Sequence, residues 1–209
     1  MVESGPGASR AAGRGQILAT GKGRRMRRAM LAIFIVGLAI GLTGCATGGK
    51  TVFRVNCGDE KAYTDQAGQA WLPDQEFTPA AKYGAVGGKI ITREELKTVA
   101  GTPAPQVYRT ERYGMTQYQF VLPSGTYTAR LHFCETFSGI TAAGMRVFSV
   151  KAQGKTVVAD LDVFKDAGGF AKPLIKEVAN IAVTDGKLVL EFGPKAQNTE
   201  INGIEILAQ

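Results

Sequence analysis

A single histidine, His132, is the chain's whole supply of imidazole. A Ser-His-Asp or Cys-His triad would have to be built around it, and no Gly-x-Ser-x-Gly elbow is present to carry a nucleophile. Three cysteines and one histidine are too few for the His and Cys clusters that bind zinc. Neither a catalytic residue set, nor a metal centre, nor a cofactor is therefore expected. No apolar stretch reaches the roughly 20 residues of a membrane-spanning helix; the longest, residues 29–42, reads AMLAIFIVGLAIGL. Strands alternating with long helices are also missing, which removes the parallel α/β folds. Past Lys50 there is no internal repeat and no low-complexity segment.

Basic charge is plentiful, with a formal net charge of +7, but it is not spread over the chain. Arg10, Arg14, Lys22, Arg24, Arg25, Arg27 and Arg28 face one acid, Glu3, before Cys45. That segment carries +6, and 18 basic against 17 acidic residues leave the remainder at +1. A nucleic-acid footprint needs a basic patch on the folded part itself, so no nucleic-acid partner is expected. The basic RRMRR at residues 24–28, the apolar run after it and the small Thr43 and Gly44 compose a secretory signal peptide. Its end, Leu42-Thr43-Gly44-Cys45, resembles the lipobox of bacterial lipoproteins. That resemblance implies a diacylglyceryl group on the Cys45 sulfur and cleavage just before it. Two acyl chains, at about 0.8 kcal/mol per buried CH₂, anchor a protein stably to a membrane. Ala46 in the next position is similar to the pattern of outer-membrane retention, which implies a lipid-anchored place in the cell envelope, facing the periplasm or the cell surface. The first 25 residues are rich in Gly, Ala and Arg without an apolar period. They form an overlong basic n-region, or Met26 or Met30 is the true start. The expected organisation is a signal peptide over 1–44, a lipidated cysteine and linker over 45–50, and one domain over 51–209.

That domain has the composition of a packed globule, since the chain is 44% hydrophobic and 21% charged. Period-2 segments divided by turn residues predict strands over 51–57, 117–122, 126–135, 146–153, 155–163, 175–183, 187–192 and 201–207. In 126–135, Tyr127, Ala129, Leu131 and Phe133 share one face, while Thr128, Arg130, His132 and Cys134 share the other. Such alternation is what a half-buried strand requires. Pro123-Ser124-Gly125, Gln153-Gly154-Lys155 and Asp185-Gly186-Lys187 place glycine where a hairpin needs positive φ. Only ITREELKTVA, 91–100, predicts a brief helix, closed by Gly101, Pro103 and Pro105. Many short strands without βαβ units predict an all-β sandwich or barrel.

Several segments in order then resemble one family. FRVNCGDE, QVYRTERYG, YQFVLPSGTYTARLHFCET, RVFSVKAQGKTVVADLDVFKDAGG and DGKLVLEF followed by INGIEI are similar to the consecutive motifs of malectin and the bacterial malectin-type carbohydrate-binding modules, over residues 51–209. The resemblance implies a jelly-roll β-sandwich of galactose-binding-like type, with its first and last strands close together. It also implies a carbohydrate ligand, a glucan or glucoside, bound without catalysis at one end of the sandwich. Aromatic rings pack on the C–H face of a pyranose and polar groups meet its hydroxyls. The family's binding aromatics match Tyr83, Tyr108, Tyr113 and Phe137. Thr136 stands where the family has a second ring beside Phe137, which removes one platform. The family's acidic residue falls near Gln197 or Asn198, whose amides both donate and accept.

The tyrosines also admit a reading as core residues with satisfied hydroxyls, as does the lone Trp71. Asn56, Gly58 and Glu135 read as scaffolding at strand ends, with a direct sugar contact as the alternative. Asp59, Glu60, Asp160 and Asp162 leave a two-carboxylate glycosidase open, and Asp160 with Asp162 a structural Ca²⁺; solvated carboxylates in β-loops are the ordinary alternative. Export to an oxidising compartment predicts a Cys57–Cys134 disulfide. A second functional class stays open: a protein-interaction or scaffolding subunit that docks on an envelope protein partner through the same sandwich. The anchor is directly testable. Cys45→Ser is expected to move the protein from the membrane to the soluble fraction and to remove the diacylglyceryl mass seen by mass spectrometry in the parent.

Overall fold

The computed structural model describes residues 49–209; the expected signal peptide and Cys45 anchor lie outside these residues. Among the described residues no helix is long and apolar enough to cross a membrane. Twelve strands run in chain order: β1 Lys50–Asn56, β2 Tyr63–Thr64, β3 Ala70–Trp71, β4 Tyr83–Thr92, β5 Thr110–Val121, β6 Gly125–Phe133, β7 Val147–Ala152, β8 Lys155–Leu161, β9 Leu174–Val183, β10 Lys187–Ala196, β11 Glu200–Ile201 and β12 Gly203–Ala208. A 3₁₀ turn, Val107–Arg109, precedes β5, and a short helix, α1 Val163–Ala167, follows β8.

Two antiparallel sheets form the sandwich. One has the order β1-β12-β6-β9. In the other, β10, β7 and β8 follow β5 in turn, β4 lies along the opposite edge of β5, and β11 also pairs with β5. The last strand sits between the first and the sixth, so the two chain ends of the domain share one sheet, as the resemblance implied. Alternation explains the layers. Tyr127, Ala129, Leu131 and Phe133 of β6 meet Tyr118, Phe120, Leu188 and Leu190 of the facing sheet in one core. The all-β sandwich expected from the strand pattern is therefore the observed fold.

A smaller cluster covers the outer face of β6. Trp71, Val99, Ala104, Val107, Tyr108 and Cys134 pack together, with the edge of Trp71 against His132 at 5.3 Å between ring centroids. Trp71 donates Nε1–H to Asp65 at 3.0 Å, which satisfies the one polar atom of a buried indole. Gly203 makes this cap fit: a Cβ there would lie 2.7 Å from Val107 Cγ1 and 3.0 Å from the Trp71 ring. The His132 face of the strand is thus buried too, by elements remote in sequence.

Two expectations need correction. Residues 91–100 do not form a helix. Ile91 and Thr92 end β4, which pairs with β5 from Tyr83↔Phe120 to Thr92↔Thr110, and Arg93 N–H then bonds Arg109 O at 2.8 Å. A short apolar period carries little helical free energy, and the ladder with β5 outweighs it. β4 itself escaped the period-2 reading because Gly84, Gly87 and Gly88 interrupt its alternation, and its register shifts at Val86/Gly87. The second correction concerns Cys57 and Cys134, which are free thiols. Cys57 belongs to the main core and Cys134 to the outer cluster, so different packed layers separate them. Burial pushes both thiols well above the ordinary cysteine range, where the reactive thiolate is scarce. Titration of the denatured full chain is expected to count Cys57 and Cys134 equally with and without reductant, while neither reacts in the folded state. A count that rises only after reduction contradicts this.

Candidate functional site

The β10–β5 ladder stops at Glu191↔Gln117, and β11 joins β5 at Glu200↔Tyr113. Between them residues 197–199 bow away from the sheet. Gly114 N–H bonds Thr199 O at 2.8 Å and the Thr199 hydroxyl donates to Met115 O at 2.9 Å, so the bow is pinned at its base. Gln197 sits in the left-handed region, at φ 59°. A non-glycine residue there stores strain and persists only where its surroundings over-determine it.

This bow and the loop after β6 enclose a cleft of about 310 Å³. It is lined by Ile91, Arg93, Glu111, Tyr113, Phe137, Arg146, Gln197 and Asn198. Ile91 of β4 pairs with Glu111 of β5; Tyr113 stands two residues further, on the same face. Phe137 is exposed, but it is not loose. Its N–H donates to Glu135 Oε1 at 3.0 Å, and its carbonyl accepts from Ile140 N–H at 2.9 Å. The ring also lies on Gly139, where a Cβ would come within 2.5 Å of it, and the Arg93 guanidinium is 5.5 Å from its centroid.

Beneath the rings lies a charged floor. Arg146 makes a forked contact with Glu135, at 2.7 Å and 3.4 Å, and gives a third hydrogen bond to Asn198 O at 3.0 Å. Arg93 donates to Glu111 Oε1 at 2.8 Å and to the Thr136 hydroxyl at 3.3 Å. That hydroxyl in turn donates to Glu111 Oε2 at 2.7 Å. A third carboxyl, Glu200, is wholly buried, and neither oxygen has a partner among the described residues. Burial, joined by the Glu111 carboxylate, pushes Glu200 well above the ordinary carboxylate range despite Arg146. Burial also raises Glu135, with Arg146 and the Phe137 amide acting against it.

Of the residues expected to bind, Tyr113, Phe137, Gln197 and Asn198 converge on this cleft. Tyr83 and Tyr108 do not, and both readings are corrected. Tyr83 begins β4 at the far end from Ile91, about 25 Å along the strand at roughly 3.3 Å per residue. Its ring stacks toward Phe120 and tilts on Phe53, while its hydroxyl donates to Pro73 O at 2.8 Å. Tyr108 is 1% exposed and its hydroxyl meets His132 Nδ1 at 2.7 Å. His132 Nε2 continues to Glu205 Oε1 at 3.0 Å, a relay closed off from the cleft. Asn56 likewise serves the scaffold, accepting from the Thr110 hydroxyl at 2.8 Å. Asp162 caps α1 through Lys165 N–H, and Asp160 pairs with Lys195 at 3.2 Å, so neither lines the cleft.

The sequence reading missed Arg93, Glu111 and Arg146. Glu111 was detectable, since it precedes Tyr113 by two in a strand. Arg93 was hidden by the helical reading of its segment, and Arg146 by its place at the head of an ordinary-looking strand.

Comparison with known proteins places this architecture. Residues 51–207 match the family model described as Malectin domain. A putative receptor-like protein kinase of Arabidopsis thaliana, At5g39000, is 28% identical over 190 residues, which is 78% of this chain and 21% of that protein. Malectin-A of Xenopus laevis is 29% identical over 155 residues, covering 72% of this chain and 52% of its own. Among solved structures, that of the plant peptide RALF23 in complex with FER and LLG2 aligns at TM-score 0.64 and 26% identity, over 76% of this chain and 48% of that one. The chain thus spans about a fifth of the kinase and about half of Malectin-A.

Glu200 offers a test of the floor. A carboxyl whose folded-state value is raised keeps full stability below the unfolded value, about 4.3, and loses it as pH climbs toward the folded value. Glu200→Gln and the parent are expected to be equally stable at pH 4. The parent should then lose stability relative to the variant, by at most about 1.4 kcal/mol per pH unit, in urea unfolding at pH 4 to 8. A parent that gains on the variant as pH rises refutes a buried, protonated Glu200.

Proposed function

Because this chain belongs to the malectin-domain family, we propose that its cleft binds a carbohydrate, a glucan or glucoside, and performs no chemistry on it. The carrying observation is the composition of the cleft: Tyr113 and Phe137 as apolar walls, with the amides of Gln197 and Asn198 beside them. A pyranose needs both a ring for its C–H face and placed donors and acceptors for its hydroxyls. Charge supports the same ligand. The cations Arg93 and Arg146 are each countered by a carboxylate, Glu111 and Glu135, so the cleft suits a neutral polyol better than an anion. Those two carboxylates are engaged by arginines, which supports holding rather than proton transfer.

We further propose that the domain is tethered through a lipidated Cys45 to the cell envelope, at the outer membrane. The chain enters β1 at Lys50, paired with Ala208. The other end of β1, Asn56, contacts Thr110, next to the cleft residue Glu111. The entry point and the cleft are thus about 20 Å apart along the strand, and a tether at Lys50 leaves the cleft pointing away from its attachment. A second reading, a protein-interaction subunit of an envelope complex, is favoured by the aligned structure of the plant peptide RALF23 in complex with FER and LLG2.

Glycan arrays and calorimetry at high sugar concentration separate the two. Tyr113→Ala and Phe137→Ala are each expected to weaken sugar binding by about tenfold, or about 1.4 kcal/mol, with the fold unchanged. Tyr83→Ala is expected to cost about 3 to 5 kcal/mol of stability, as truncation of a core aromatic does, and to spare affinity in whatever remains folded. A protein that binds no glycan on the array while capturing an envelope protein would overturn the sugar reading.

A further inference from the structure

Two large rings remain exposed among the described residues, Phe137 and Phe170, at 37% and 38%. The loops that carry them are tied to one residue. Glu135 holds Phe137 through its carboxylate, which accepts the Phe137 N–H, and holds the Phe170 loop through its backbone carbonyl, which accepts Ala171 N–H at 2.9 Å. Ala171 is a non-glycine residue in the left-handed region, at φ 55°. Strain of that kind is kept only when surrounding bonds enforce it. The Phe137–Ile140 turn also borders a second hollow, of about 360 Å³, lined by Ser138, Ile140, Thr141, Phe164 and Phe170. One short loop therefore walls the cleft with Phe137 and the hollow with Ser138, Ile140 and Thr141.

Resting on the carbohydrate reading of the cleft, we propose that this hollow seats a further sugar unit of the same glycan, so that the ligand is an oligosaccharide chain and not a terminal mono- or disaccharide. The lining has the chemistry of a pyranose subsite. Phe164 and Phe170 supply rings for C–H groups, Ser138 a hydroxyl donor and acceptor, and Thr141, whose hydroxyl donates to Met145 Sδ at 3.7 Å, an acceptor. None of the five lining residues is charged, which suits a neutral sugar over a charged peptide. The single turn that lines both the cleft and the hollow selects the occupant: a chain that crosses it passes from one to the other. The tie through Glu135 holds the backbone of both loops, so little ordering is required on binding.

The experiment is calorimetry of the full chain with α- and β-linked gluco-oligosaccharides of increasing length, starting from the disaccharide. Affinity is expected to rise by about tenfold between the disaccharide and the longest oligomer of the preferred linkage, which corresponds to about 1.4 kcal/mol. Phe170→Ala and Phe164→Ala are expected to abolish that rise and to leave disaccharide affinity unchanged, whereas Phe137→Ala weakens every length. Because Phe170 is exposed, its variant retains the fold, checked by near-ultraviolet circular dichroism. Disaccharide binding with no gain from length overturns the extended site alone. Absence of binding at every length overturns the carbohydrate reading with it. A Phe170→Ala variant that keeps the gain but changes the oligomeric state overturns the proposal in favour of a second copy on this surface.

Discussion

The Glu135 side chain is wholly buried, and its two oxygens and its carbonyl hold three separate pieces of chain. The carboxylate takes the forked Arg146 guanidinium and the Phe137 amide, and the carbonyl takes Ala171. Burying an ion pair is expensive, and breaking one by removing a partner costs about 3 to 5 kcal/mol because a lone charge is stranded. The pair is tolerable here because both ends are saturated: Arg146 also reaches Asn198 O. Glu135 and its Arg146 partner thereby tie the end of β6, the Phe137 loop, the Phe170 loop, the head of β7 and the bow before β11 into one rim.

The cleft follows from how β5 is shared. A single edge of β5 pairs first with β10 and then with β11, and the strand change leaves a gap that side chains line instead of backbone. Gln197 and Asn198 reach the cleft only because the chain bows at that change. The Arg93–Glu111–Thr136 group then closes the opposite side. The Thr136 hydroxyl, beside Phe137, is spent inside this network. Thr136 is therefore part of the floor, which leaves Phe137 as the one aromatic of that loop on the cleft.

Much of this was readable from local pattern. Period-2 alternation located β6, β7, β9 and β12 to within a residue or two, since side chains on a pleated strand alternate regardless of what they pack against. Tyr113 and Phe137 were legible as cleft residues through the order of motifs. Tyr83 and Tyr108 were misread because burial depends on which strand or cap crosses overhead. A tyrosine before glycine looks like a loop ring until β5 is seen to pair with it. Cys57 and Cys134 were paired on compartment alone, and the layers that separate them come from partners distant in sequence, Trp71 and Tyr118 among them.

What the amino-acid order settled unaided is whatever short-range physics governs: strand periodicity, turns at glycine, the concentration of basic charge ahead of Cys45 and the scarcity of catalytic side chains. What needed tertiary structure is the site itself. Arg93, Glu111, Arg146 and Glu200 are ordinary surface-type residues in one dimension, and only the meeting of four strand ends strips them of water. Desolvation makes their pairings obligatory and raises Glu200, and desolvation is a property of neighbours in space, which no local stretch of sequence contains.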